Sequence, residues 1–209
     1  MANRTFLIST DVAAKPIDGQ DRIEIQCAAS YMIPVFWDTL FDRSSVITTS
    51  ADTEDGEKVE YPYLSRRAAD AIAAAKTRWP ALRQSLGFQY DKLFETWMGF
   101  VEQKSDGFLQ CETVELWMMF DNTPSFQSHL EQCLGVFDTD PPDVQSAGWL
   151  ELLGQANALN DKRVAPAGEF SFCGYGWDVP VPWEENDSPK SDDSPPPPNP
   201  TSKPWWKVW

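Results

Sequence analysis

A short apolar-centred run spans residues 5–10, and apolar and polar residues alternate with a period of two over 22–27. In the first run Phe6 and Ile8 share one face. In the second, Ile23, Ile25 and Cys27 point inward and Arg22, Glu24 and Gln26 outward. Both runs predict strands, the second a half-buried antiparallel one. Asp18-Gly19 between them predicts a hairpin-like connection. Pro34 then opens a short helical stretch over 35–41 holding Phe36, Trp37, Leu40 and Phe41, and residues 46–49 read as a short strand.

Further along, the period changes to that of a helix. Leu64, Ala68, Ala71, Ile72, Ala75 and Trp79 form one apolar stripe, which predicts a helix over 64–79 with Ser65 as N-cap. Pro80 predicts a kink or a new turn, and Gly87 the end of the segment. A second helix is expected over 91–103, with Leu93, Phe94, Trp97, Phe100 and Val101 inward. Gly99 in its middle costs about 1 kcal/mol relative to Ala, which predicts the close approach of another element there. Residues 108–120 read as a strand whose phase changes near 112–113, by a bulge or a break. Thr123-Pro124 reads as an N-cap followed by proline at the first helical position. Phe126, Leu130, Cys133, Leu134 and Phe137 then give an amphipathic helix.

Beyond Pro141-Pro142, a helix over 143–159 and an aromatic, Gly-rich edge strand over 169–183 are expected. Together these elements predict an α+β domain over residues 1–186: a small antiparallel sheet packed with several amphipathic helices. Residues 187–204 contain seven prolines and no large apolar side chain, as an extended linker does. Residues 205–209 form a Trp-rich docking segment, expected to fold back on the body in preference to docking on a partner.

Charge narrows the function classes. The 209 residues include 17 Lys and Arg against 32 Asp and Glu, a net charge of -15. Such acidity argues against nucleic acid as the direct partner, because phosphate binding needs cations that displace counterions. It argues against an anionic membrane surface for the same reason. No run approaches the ~20 apolar residues of a membrane span. The opening residues lack a basic flank before a long apolar run, so no secretory signal is read and a cytoplasmic location is expected. The charge is also uneven. Residues 64–86 hold five basic groups and one acidic, whereas 87–186 hold four basic and seventeen acidic. The basic segment reads as neutralising acidic neighbours in its own body.

Motifs that would name a reaction are missing. Cys27, Cys111, Cys133 and Cys173 form no CxxC pair, and with one histidine in the chain no zinc-finger spacing arises. They read as free thiols used as small core residues, and no cofactor or metal is implied. The acidic loop 51–60 fails the register of a calcium loop, since Gly56 falls fifth from Asp52 and Tyr63 stands where the closing Glu belongs. His129 lies one helical turn before Cys133 and reads as a surface or internally satisfied histidine rather than a catalytic base. Gly174-Tyr175-Gly176 lacks the GK[ST] of a phosphate loop. Glu112, Glu115 and Asp178, the last flanked by Trp177 and Trp183, are the acids best placed to be partly desolvated. A carboxylate-dependent hydrolase built on such acids is one alternative reading, and an adaptor that docks through its Pro- and Trp-rich tail is another.

The opening MANRTFLIST and the late stretch GYGWDVPVPWEE resemble a group of bacterial proteins that begin Met-Ala-Asn-Arg before a short apolar strand. The small, acidic, Trp-rich, mixed α and β character is similar to immunity proteins of bacterial polymorphic-toxin, contact-dependent and type VI secretion systems. That resemblance implies an antitoxin-like role: a protein that binds a cognate toxin and protects the producing cell. An acidic, aromatic-rimmed face would cover the active site of a basic toxin, with Asp52, Glu54, Asp55, Glu57, Glu60, Glu112, Glu115, Asp121, Trp177 and Asp178 as candidate contacts.

Overall fold

A computed structural model describes residues 4–52, 56–86, 88–143 and 172–176. All of them belong to the unit Met1–Val179. The expected helix over 143–159, the linker and the Trp-rich terminus lie outside the described residues, as does most of the expected strand over 169–183. The fold is α+β. Five antiparallel strands, β1 (Arg4–Thr10), β2 (Ile23–Ser30), β3 (Val46–Asp52), β4 (Lys58–Arg67) and β5 (Phe108–Glu112), form one sheet in the order β2-β1-β5-β4-β3. Helices α1 (Val35–Asp38), α2 (Ala68–Leu86), α3 (Asp91–Lys104), α4 (Val114–Trp117) and α5 (Thr123–Gly135) interleave with them.

The strand pairing is regular with one departure, although the central strands are buried on both faces rather than one. Leu7 faces Cys27 but Ile8 faces Ile25, so Gln26 is the extra residue of a bulge. Cys27 faces the core as expected, but the bulge reverses the expected phase of β2 before it. Ile25 becomes 37 % exposed, while Gln26 is buried and donates through Nε2 to the Lys104 carbonyl at 3.2 Å. The β1–β2 connection is a twelve-residue strap rather than a tight hairpin, although Gly19 does turn it at φ 76°.

The first long helix starts at Ala68, not at residue 64. Residues 58–67 extend β4 instead, because Tyr61 and Tyr63 on one face and Leu64 on the other satisfy a strand. Ser65 is therefore not an N-cap; its hydroxyl donates to the Ala13 carbonyl at 2.6 Å. Pro62 is tolerated because β5 pairs with β4 only from Leu64 onward, so no ladder partner waits on that side. Pro80 lies inside α2, which runs on to Leu86. Gly99 has nothing within 4 Å of where a Cβ would stand, so no close approach explains it. The phase change near residue 112 is a break: β5 ends at Glu112 and a single helical turn follows. The cap of α5 falls one residue earlier than expected, with the Asn122 side chain accepting from the Ser125 N–H at 2.9 Å.

Leu7, Cys27, Ala29, Leu64, Leu109 and Cys111 supply the sheet's side of the main core, and α1, α2 and α3 supply the other side. Phe36 sits in the middle. Its ring meets Trp79 and Phe94 edge-on, with centroids 5.4 and 5.2 Å away. Trp79 in turn stacks on Phe94 at 4.4 Å. All four cysteines are buried, as small core residues are. Gly174 seats the segment 172–176 against β2: at φ 74° its absent Cβ would lie 2.7 Å from the Ala28 carbonyl oxygen. The Gly-Tyr-Gly cluster is therefore a packing device here, bridged to Ala28 through Tyr175.

Candidate functional site

The opposite face of the sheet carries a polar network, closed over by the strap of residues 11–17. Gln110 anchors it, donating through Nε2 to the carbonyls of Val12 and Ala14 at 2.9 Å each and accepting from the Tyr63 hydroxyl at 2.9 Å. Glu112 is its second hub. One carboxylate oxygen accepts from the Tyr61 hydroxyl at 3.0 Å and from the backbone N–H groups of Thr113 and Val114 at 2.9 and 3.0 Å. The other lies 3.1 Å from the Lys15 ammonium. Burial first, and the Glu112 charge second, push the Tyr61 hydroxyl far above the ordinary phenol value. Glu115 accepts from the Arg4 N–H at 2.7 Å and pairs with its guanidinium at 3.6 Å. Both carboxylates thus have their charge matched inside the fold.

The other predicted acids divide by position. Asp52, Glu57 and Glu60 are exposed along the β3–β4 hairpin, Asp52 opposite Lys58. Asp121 is exposed just before α5. The fold brings these two places together, because the Thr123 hydroxyl donates to the Glu60 carbonyl at 3.0 Å. Glu54, Asp55, Trp177 and Asp178 lie outside the described residues. The basic segment neutralises its own body, as read from the sequence. Arg66 and Arg78 pair with Asp42 at 3.0 and 3.8 Å, Arg83 with Asp91 at 3.1 Å, and Lys76 with Glu102.

Beside Asp121 opens a cleft of about 180 Å³ between residues 31–33, α1, α4 and α5. Ile33, Leu116, Phe126 and Leu130 make its walls, with Asp38, His129 and Cys133 also on the lining. Its rim is unusual for a soluble surface. Tyr31 is 56 % exposed and Met119 48 %, and the adjoining Met118 is 61 % exposed. Tyr31 holds φ 65°, a left-handed backbone that costs a non-glycine residue about 1–3 kcal/mol. Sequence reasoning missed these rim residues because 114–120 fitted a strand by alternation. Adjacent Met118 and Met119 were the available signal, since neighbours on a strand cannot both face inward.

His129 and Cys133 meet on the cleft's lining. The Cys133 sulfur lies 3.9 Å from His129 Nε2. Burial alone lowers the His129 pKa below the ordinary 6.5, with no carboxylate acting to raise it. The imidazole is thereby biased to its neutral form, the opposite of what a thiolate–imidazolium pair requires. Among the described residues, no three His, Cys, Asp or Glu side chains converge as a metal site would need. No helix among them is long and apolar enough to cross a membrane. Compared with known proteins, the chain matches no family model, no curated sequence and no solved structure.

Proposed function

We propose that this chain is a cytoplasmic inhibitory binding protein, of the kind that protects a bacterium by occluding the active site of a cognate, basic toxin. The observation that carries this reading is the exposed Tyr31 and Met119 on an apolar cleft, with the exposed Met118 next to Met119 in the chain, set largely in the acidic part of the sequence. From residue 105 to 143 there are eight Asp and Glu and no Lys or Arg. A surface with an apolar centre and charge of one sign suits a protein partner of the opposite sign. Such an interface would bury roughly 1,600 Å² in total. The hydrolase alternative needs two carboxylates facing each other across a pocket; Asp38 is the one carboxylate lining this cleft among the described residues. The adaptor alternative rests on residues outside those described.

Co-expression with the product of the adjacent gene tests the proposal. A complex that survives gel filtration, together with cells protected from that product, is the expected result. No complex and no protection would overturn it.

A further inference from the structure

We infer that the cleft between residues 31–33, α4 and α5 is a socket for one large apolar side chain, carried on a Lys- or Arg-bearing segment of the partner protein. The inference rests on the binding role proposed above and deepens it by naming where, and by what chemistry, the partner is held.

Size comes first. At about 180 Å³ the cleft is smaller than the ~300–1,000 Å³ typical of small-molecule sites, so an inserted side chain suits it better than a free substrate. Its walls are aliphatic and aromatic, which favours an aliphatic or aromatic anchor. The rim supplies adaptability: Met119 and Met118 are unbranched and polarizable, and can repack around an anchor whose shape varies. Tyr31, held in a costly backbone conformation, adds a broad ring to the same rim.

Charge selects the flanks of the anchor. Four of the acids between residues 105 and 143 are already bridged, Asp106 to Arg22, Glu112 to Lys15, Glu115 to Arg4 and Asp138 to Arg43. Asp121, next to the cleft-lining Phe120, carries no ion pair among the described residues. His129, biased to its neutral form by burial, adds no cation. A Lys or Arg beside the anchor therefore meets uncompensated negative charge, and an acid there is repelled.

The methionines make the socket directly observable. With methyl-labelled methionine in the full chain, Met32 and Met119 report from the cleft and Met118 from its rim, while Met98, 2 % exposed in the core, is an internal control. Three short synthetic helical peptides serve as probes: Leu/Lys, Leu/Glu and Ser/Lys. The Leu/Lys peptide is expected to shift Met32, Met118 and Met119 but not Met98, and to bind about tenfold more tightly than either of the others. Met119→Asp should abolish most of that gain, whereas Ile17→Asp, at an equally exposed apolar site elsewhere, should leave it intact. Equal binding of Leu/Lys and Ser/Lys peptides without methyl shifts would overturn the socket and leave the acidic binding role standing. Equal binding of Leu/Lys and Leu/Glu peptides would overturn the basic-partner reading itself, and the socket's charge selection with it.

Discussion

Glu112 shows how one carboxylate can serve the fold more than the surface. It ties β5 to β4 through Tyr61, to the strap through Lys15, and to the start of α4 through two backbone N–H groups. Replacing it with Ala leaves the Tyr61 hydroxyl and the two N–H groups without this acceptor, and leaves the Lys15 ammonium its hydrogen bond to Tyr61 but no counter-ion. We expect a loss of about 2–3 kcal/mol in unfolding free energy by urea titration. Asp121→Asn, on the exposed rim, should leave the denaturation midpoint within error. Comparable losses at both positions would show that Glu112 is no hub. Gly99 is the reverse case. It sits exposed inside α3 with open space around its missing Cβ, so Ala fits without strain. Gly99→Ala should stabilise the protein by about 1 kcal/mol, seen as a higher melting temperature with unchanged circular dichroism.

At the scale of elements, α1 depends on cations from elsewhere in the chain. It is a four-residue helix ending in buried backbone, and its trailing carbonyls need donors. Arg78 donates to the carbonyls of Thr39 and Phe41 at 2.8 and 2.5 Å, and Arg66 to that of Leu40 at 3.1 Å. Asp42 holds both guanidiniums in place. Burial acts to raise its pKa, but hydrogen bonds from Ser44 and Ser45 and the charges of Arg66 and Arg78 outweigh that and hold it below the ordinary 3.8. A carboxyl with a depressed folded pKa stabilises the protein above its unfolded pKa, and that contribution is lost as pH falls through the folded value. Asp42→Asn should therefore cost its full stability difference at neutral pH, and the difference should shrink below about pH 4. A gap between variant and wild type that stays constant through acid unfolding would contradict this. None of this clamp was legible in the sequence beyond the sign of the charges. Elements with one clean period, such as α3 and α5, were legible because a single buried face sets their pattern, whereas β1 is buried on both faces and turns Leu7, not Phe6 or Ile8, into the main core. The start of α2 was not, because Leu64 fits both the helical stripe and the strand that the two tyrosines demand. Gln26 and the β2 bulge were hidden for a similar reason, since a bulge inverts alternation without changing composition. Of the candidate site, the acidity could be read directly, but the cleft arises from three separated segments and has no linear signature.

For the whole molecule, attraction and retention should separate experimentally. A net charge of -15 acts at long range and accelerates encounter with a cationic partner. The Debye length shrinks from about 10 Å at 0.1 M salt to about 3 Å at 1 M, so that acceleration is screened away. An apolar side chain seated among Ile33, Leu116, Phe126 and Leu130 is held by burial, which salt does not screen in this way. Stopped-flow measurements with the Leu/Lys peptide should thus give an association rate that falls steeply with ionic strength and a dissociation rate that barely changes. Met119→Asp should do the reverse, raising dissociation severalfold while adding one negative charge that leaves association the same or slightly faster. If salt instead governs dissociation and Met119→Asp changes neither rate, contact is made through charge alone and the apolar rim takes no part in holding the partner.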